Sequence, residues 1–512
     1  MLTNITLENF KAFQKLDNLK VKPITILCGT NSCGKSSILQ SILLLKQTLE
    51  SKNPNQNLLL NGRFVKLGYF EDVIFRKKTK NNISFDFVFD ITPESHDIRT
   101  GRRMPIDMIL RELIVDREKP INRKTEYVID YKISLKANAE YEDDEYSKSL
   151  GVAHVCVKIF EKDTTDNKSE ITISLTNIKE DLYKVEWTNL KSRFGLHREE
   201  APNGEMEMRM RFDNLVPIPI DFRPDRLNEQ RNSNFQDIRS FLFRINDLLQ
   251  TFYSLYSYVG PLRQSHKDGG GFYFGDDTVD IGNFGENAPF LFLKEKNNKL
   301  QNHFFYNKKD DSFVKKPSIS LEKAFDEWFS LLGIKGFGGT LNNRIINLHL
   351  NANKYDDTRI DISQVGFGVS QMFPIVLEGL RMEKGNTLLI EQPEIHLHPN
   401  LQMQMADYFI ALALSEKRVI VETHSDHVIN RLVRRIVEDD THGLKDLIGI
   451  YFIKPSENGS VYEEILIDET KGVVNWPVDF FDQTATEQMK IMQAGVKKRK
   501  QQRQTKINEP IL

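Results

Sequence analysis

Two glycines, a lysine and a hydroxyl stand at fixed spacing in Gly29-x-x-x-x-Gly34-Lys35-Ser36, the spacing with which a chain wraps a row of phosphates. Backbone N–H groups of such a turn, with the positive end of the helix that follows, cradle a β-phosphate. Lys35 then reaches β- and γ-oxygens, and the Ser36 hydroxyl ligates Mg²⁺. Gly29, Thr30, Asn31, Ser32, Cys33, Gly34, Lys35, Ser36 and Ser37 are therefore the expected binding loop for ATP with Mg²⁺. The alternative is a glycine turn with a solvated lysine, and both flanks argue against it. Ile24–Leu27 is a short apolar run of strand type. Ile38, Ile42, Leu45 and Leu49, widened by Leu39 and Leu43, recur at helical spacing.

Two later segments supply acids and a histidine that such a loop can use. In NTLLIEQPEIHLHP (386–399), Thr387–Ile390 reads as a buried strand with Glu391 at its tip, followed by Gln392, Pro393 and Glu394. An acid at the end of a strand beside the phosphate-loop strand can hold Mg²⁺, as Walker B acids do, which makes Glu391 the second expected metal ligand. In RVIVETHSDHVINRL, Val419–Val421 reads as another strand, which brings His424 to the same carboxyl edge, where phosphates bind in open α/β sheets. His396 and His398 have no cysteine or third histidine nearby and read as loop and packing residues rather than a metal pair.

These segments need a scaffold. With 512 residues the chain is long enough for two or three packed units. Its 70 basic and 72 acidic residues leave a net charge of −2, so any contact with nucleic acid must use local patches. Three cysteines, two of them flanking the phosphate loop, cannot build a disulfide framework and point to a reducing cytosol. The N-terminus has no signal-peptide pattern, and no apolar run approaches the roughly 18 residues of a membrane span.

SKNPNQN (51–57) reads as a linker. From Leu58 to Leu190 the pattern changes to alternation, and NISFDFVFDI, EYVIDYKISLKA, AHVCVKIFEK, ITISLTNI and YKVEW are expected antiparallel strands. YEDDEY (141–146) and REEAPNGEMEMR read as solvated or flexible loops, and KDGGGFYF (267–274) as a glycine turn without a following Gly-Lys-Ser. Helical spacing returns in FQDIRSFLFRINDLLQTFYSLYSYV and LEKAFDEWFSLLGI, then helix and strand alternate from Ile360 onward. KKRKQQRQTK (497–506) is strongly basic without aromatics and reads as a solvated, disordered tail, with contact to phosphates or an acidic partner as the alternative.

Taken in order, NFKAF, the phosphate loop, EQPEIHLHP and ETHS resemble the ABC-type ATPases of the SMC, RecF and OLD group. The resemblance covers roughly the first 75 and the last 150 residues, with isolated pieces such as YVGPLR between. NWPVDFFDQ is similar to a short segment closing many bacterial ATPases of this kind, some of which serve two-gene antiphage systems (Septu-like, PARIS-like). The resemblance implies an α/β fold: an ABC-type P-loop ATPase head with an antiparallel β lobe, a helical insertion and a small C-terminal domain. The expected spans are 1–75 and 346–455 for the two parts of the head, 76–230 for the lobe, 231–345 for the insertion and 456–512 for the C-terminal part.

By the same resemblance His424 reads the γ-phosphate, and Glu394–Pro399 crosses to a partner subunit. VGFGVSQ (365–371) falls where such proteins carry a signature that caps the γ-phosphate of the opposite protomer, through Gly366, Gly368 and Ser370. Gly366 stands where relatives place a serine, and Ser370 is the nearest other hydroxyl. The Q-loop glutamine is either Gln56 or a residue of the LGYFEDV segment. Relatives place a glutamate directly after the Walker B acid as base; here it is Gln392, whose amide accepts no proton. Either Glu394 or His424 orients the water, or hydrolysis is slow. The implied assembly is a head-to-tail homodimer around two ATPs, with a partner effector such as a nuclease encoded nearby, nucleic acid left open and no membrane contact. After His424 too little chain follows for a TOPRIM nuclease. The competing functions are a RecF-like DNA-maintenance ATPase and a nucleotide-binding scaffold with little turnover.

Overall fold

In the computed structural model the described residues are 1–52, 57–91, 109–110, 113, 125–137, 150–162, 170–190, 203–220, 229–263, 278–342, 345–353, 355–364, 367–440, 443–477, 487–496 and 498–499. Gln56, Gly366, YEDDEY and KDGGGFYF lie outside them, as do most of NWPVDFFDQ and nearly all of the basic tail.

The shortest apolar runs make a parallel block. β3 (Ile24–Gly29) is flanked by β18 (Arg418–Glu422) and β19 (Ile448–Ser456); β17 (Thr387–Glu391) pairs with β18, and β11 (Tyr256–Val259) closes the edge. These strands are apolar on both faces because both are covered. Leu389 and Ile420 face one core, while Leu388, Ile390, Val419 and Val421 face the other.

The same sheet continues through β20 (Gly459–Glu464), β2 (Phe13–Lys20) and β1 (Leu2–Phe10) into an antiparallel run of seven strands. These are β4 (Ile83–Ile91), β5 (Tyr127–Ala137), β6 (Leu150–Glu161), β7 (Ile171–Lys179), β8 (Leu182–Thr188), β9 (Gly204–Asp213) and β10 (Val216–Ile220), and the whole makes one 15-stranded sheet. The expected lobe therefore shares its sheet with the head.

The first core lies under the lobe and holds α1 (Lys35–Leu49) and a later helix, Glu229–Ser254, in one buried cluster. Phe89 of β4 stacks on Phe252 of that helix at 4.7 Å, and Lys46 donates to the Tyr253 carbonyl at 2.8 Å. Counting the short α2 (Phe70–Val73) makes the long helix α3. The second core lies on the other face of the parallel block. It packs α4 (Ala288–Glu295), α5 (Leu321–Leu331), α6 (Phe367–Arg381), α7 (Pro399–Leu414) and α8 (Asp426–Val437), with Phe292, Phe325 and Phe373 ring to ring. Asp407 of α7, fully buried, accepts from Arg431 and Arg435 of α8, which ties together the two helices that follow the candidate loops.

Two expectations are corrected. YSYV does not continue helix α3: it breaks at Leu255, and Tyr256–Val259 pairs in parallel with β17. The span 231–345, expected as a helical insertion, thus contributes a strand to the parallel block, and it also holds a separate antiparallel hairpin of β12 (Lys299–Asn307) and β13 (Ser312–Ser320). GEMEMRMRFD is strand β9 rather than loop, with Met208, Met210 and Phe212 buried and the charged residues between them turned outward. Alternating methionine with charge is a period-2 pattern that polarity alone disguises. No helix among the described residues is long and apolar enough to cross a membrane.

Candidate nucleotide site at the carboxyl edge of the parallel strands

β3 runs out at Gly29, whose φ of +144° and contact with β19 leave no room for a side chain: a Cβ there would stand 2.0 Å from the Ile453 carbonyl oxygen. At the far end of the loop, a Cβ on Gly34 (φ +95°) would lie 2.7 Å from the Ala12 side chain. The NFKAF turn thus presses the phosphate loop from behind, and both glycines of the motif are sterically required. Asn31 and Ser32 are exposed at the tip and Cys33 is buried. Helix α1 starts with no side-chain cap and no acid in its first turn, which leaves its positive end for an anion. Lys35 is 3% exposed; its Nζ donates to the carbonyls of Gly29 (3.2 Å) and Thr30 (2.6 Å) and lies 3.8 Å from Cys33 Sγ. The Thr30 hydroxyl is buried without a partner.

The acids fall in a different order from that expected. β17 is not beside the phosphate-loop strand; β18 stands between them. The carboxylate that meets the Ser36 hydroxyl, at 2.9 Å, is Glu422 at the tip of β18. Glu391 is its register partner on β17 and accepts a hydrogen bond from the Tyr258 hydroxyl at 2.8 Å. Burial pushes the Glu391 carboxyl above its ordinary range, against the pull of the Tyr258 hydrogen bond. Glu422 is raised to about 7, first by burial and then by repulsion from Glu391, with Ser36 and Lys35 opposing.

Arg263, from YVGPLR, grips the tip of β17 from below. Its guanidinium donates to the carbonyls of Glu391 (2.5 Å) and Gln392 (3.1 Å), and it is 4% exposed. Burial lowers its pKa to about 10. Its backbone exchanges hydrogen bonds with the Gln371 side chain in α6, at 3.3 and 3.2 Å. Gln392 is held with φ +47° while its N–H donates to the Glu422 carbonyl at 2.7 Å. Both oxygens of Glu394 are taken, by the Thr423 hydroxyl (2.8 Å) and the His424 N–H (2.7 Å), so this carboxylate fixes the turn that carries His424. The His424 ring is half-buried, and burial and the Lys35 charge hold it below the usual histidine range, with Glu394 opposing.

His398 caps α7, its ring accepting from the Asn400 N–H at 3.3 Å, and His396 sits at φ +61° in the preceding turn. Gly368 opens α6 against that turn, with room for a Cβ only 3.0 Å from the His396 carbonyl. Ser370, in α6, is 3% exposed. A cavity of about 530 Å³ opens beside the loop, lined by Lys11, Ser36, Gln40, Asp72 and Arg76, among others. Lys11 donates to Gln40 at 2.6 Å, and Glu71 and Asp72 bring the LGYFEDV segment to its wall. Lys11, Tyr258, Arg263, Gln371 and Glu422 went unassigned in the sequence although each stands inside a quoted motif. Only the pairing of distant strands gives them a place.

The glycine cradle, the uncapped helix start, the lysine and the Ser36–acid pair fit a nucleotide phosphate chain with a divalent cation. Residues 1–429 match the AAA ATPase domain family. The chain belongs to that family. Its structure is similar to three SMC heads. A head bound to the C-terminal winged-helix domain of ScpA aligns at 12% identity over 90% of this chain and 97% of that one, with a TM-score of 0.40. The Thermotoga maritima SMC head aligns at 12% over 91% and 99%, with a TM-score of 0.31. A Smc head with an extended coiled coil, bound to the C-terminal domain of ScpA from Pyrococcus furiosus, aligns at 11% over 90% and 96%, with a TM-score of 0.36. No curated protein matches the sequence.

Proposed function

We propose that this AAA ATPase binds ATP with Mg²⁺ at the Gly29–Ser37 loop, hydrolyses it slowly, and uses the long-lived ATP state as a signal. The observation that carries the reading is the pair of residues after Glu391. Gln392 occupies the place of the usual base and cannot take a proton. Glu394, two residues further along the chain, already accepts two hydrogen bonds that hold the His424 turn. Loss of a general base costs on the order of 10²–10⁴ in rate.

In this reading Lys35 leaves its loop carbonyls for β- and γ-oxygens, and the loop N–H groups hold the β-phosphate. Ser36 and Glu391 would hold the cation, which would supply charge neutralisation to the phosphate chain. His424 offers a ring nitrogen toward the γ-phosphate edge, and Gln392 orients water through its amide without activating it. Residues 1–75 and 346–455 act as the two parts of the head, with Gly366 and Gly368 of a second protomer completing the site. A head-to-tail dimer is the signalling species, and a partner effector, such as a nuclease, reads it in a bacterial antiphage complex. The motif resemblance set out above supports that role.

Single-turnover hydrolysis tests the catalytic claim. Gln392→Glu should raise the rate at least tenfold with little change in ATP affinity, while Glu394→Gln should lower it by loosening the His424 turn. A wild-type rate equal to that of Gln392→Glu would sink the slow-switch reading. Co-purification of the chain with the product of a neighbouring gene tests the partner; recovery of the chain alone, with and without ATP, argues against it.

A further inference from the structure

We infer that Glu422 is a second carboxylate ligand of the divalent cation, so that the metal sits between two strand tips rather than at one. This rests on the reading of the Gly29–Ser37 loop as a nucleotide site. Three observations place it. The Ser36 hydroxyl, the cation ligand contributed by the phosphate loop, points at Glu422 Oε1 at 2.9 Å. The other oxygen, Oε2, is buried without a hydrogen-bond partner, in a residue 4% exposed. A carboxylate left that way is costly unless something positive arrives to meet it. Finally, Glu391 and Glu422 are register partners on neighbouring parallel strands, so both carboxylates emerge at the same level of the sheet edge. Two like charges brought together beside a hydroxyl form a hard oxygen donor set, and Mg²⁺ is characteristically held by one or two carboxylates plus substrate phosphates. Among the described residues no group of three or more His, Cys, Asp or Glu could hold a metal.

The position of Glu422 explains why it, and not Glu391, meets the loop. β18 is the immediate neighbour of β3, whereas β17 is one strand further away and its acid is turned toward Tyr258.

The test reads metal affinity, not turnover. Mn²⁺ is titrated into the full chain saturated with a non-hydrolysable ATP analogue, and free Mn²⁺ is followed by electron paramagnetic resonance. Analogue affinity is measured separately in EDTA. Glu422→Gln keeps a hydrogen-bond acceptor for Ser36 but removes the charge; Mn²⁺ affinity should fall about tenfold while affinity in EDTA is unchanged or tighter. Glu422→Asp retains the charge on a shorter arm and should lose less. It also keeps the question decidable if the glutamine variant does not fold. Mn²⁺ affinity equal to wild type in both variants overturns the assignment. So does a parallel loss of analogue affinity in EDTA, which would mean that Glu422 only supports the loop. Failure of the wild type to bind the analogue under either condition would overturn the nucleotide site itself, and the inference with it.

Discussion

At the residue scale, the chemistry turns on which oxygens and protons remain free around the tips of β17 and β18. Arg263 has no catalytic proton to give; its guanidinium spans two consecutive carbonyls and holds Gln392 in a left-handed conformation that a non-glycine residue adopts at a cost. Arg263→Lys cannot reproduce that fork. The variant should keep ATP affinity within about twofold, because the phosphate loop is untouched, and should lose most of its single-turnover rate. Its thermal stability should drop by about 1–3 kcal/mol for the unpaired carbonyls left behind. Stopped-flow hydrolysis beside a melting curve checks both; a rate loss with no loss of stability would mean that the guanidinium touches substrate instead. Gly29→Ala is expected to be harsher than Gly34→Ala. The first added methyl would stand 2.0 Å from the Ile453 carbonyl oxygen of β19, the second 2.7 Å from the Ala12 methyl, a less severe overlap.

At the element scale, the second core presents a cation in a setting that makes stability depend on pH. Lys417 at the start of β18 is buried and donates to the Gly379 and Leu380 carbonyls at the end of α6, at 2.9 and 2.8 Å. Burial lowers its pKa from 10.5 to about 7, with Glu378 opposing. The unfolded chain therefore takes up this proton at higher pH than the folded one. The contribution of Lys417 to stability is greatest above pH 10.5, falls as pH drops toward 7, and levels off below it. Lys417→Met should remove that slope, a change of about 3 kcal/mol at most between pH 7 and 9.5. Urea denaturation at the two pH values measures it, and equal slopes for both proteins would contradict the burial account. Elements also show where the sequence was readable. β3, the loop and α1 are one contiguous strand–turn–helix, so their pattern alone identified them. β4 to β8 announced themselves by alternation. β11 did not, because YSYV follows an uninterrupted helical pattern and becomes a strand only through pairing with β17, more than a hundred residues away. The same non-local pairing inserts β18 between β3 and β17, which no local pattern reveals, and it brings Glu422 rather than Glu391 to Ser36.

At the scale of the whole molecule, one sheet carries both the nucleotide edge and the antiparallel lobe, and β20 and β2 join them through a single pair, Gly459 with Phe13. Phe13 also packs against Gly34 of the phosphate loop, so the seam between the two halves lies directly behind the site. Removing residues 497–512 should leave hydrolysis intact, since that segment lies beyond every site motif. If it meets nucleic acid, the salt dependence of binding should flatten. Filter binding at two salt concentrations checks this; an unchanged slope returns the tail to a solvated role. In the proposed function, ATP at this site assembles two protomers and slow hydrolysis keeps them together. Sedimentation velocity of the wild type, Lys35→Ala and Gln392→Glu, each with and without Mg-ATP, tests it most directly. A dimer should appear only with Mg-ATP in the wild type, be absent in Lys35→Ala, and decay faster in Gln392→Glu. The same sedimentation coefficient for the wild type with and without Mg-ATP would contradict it.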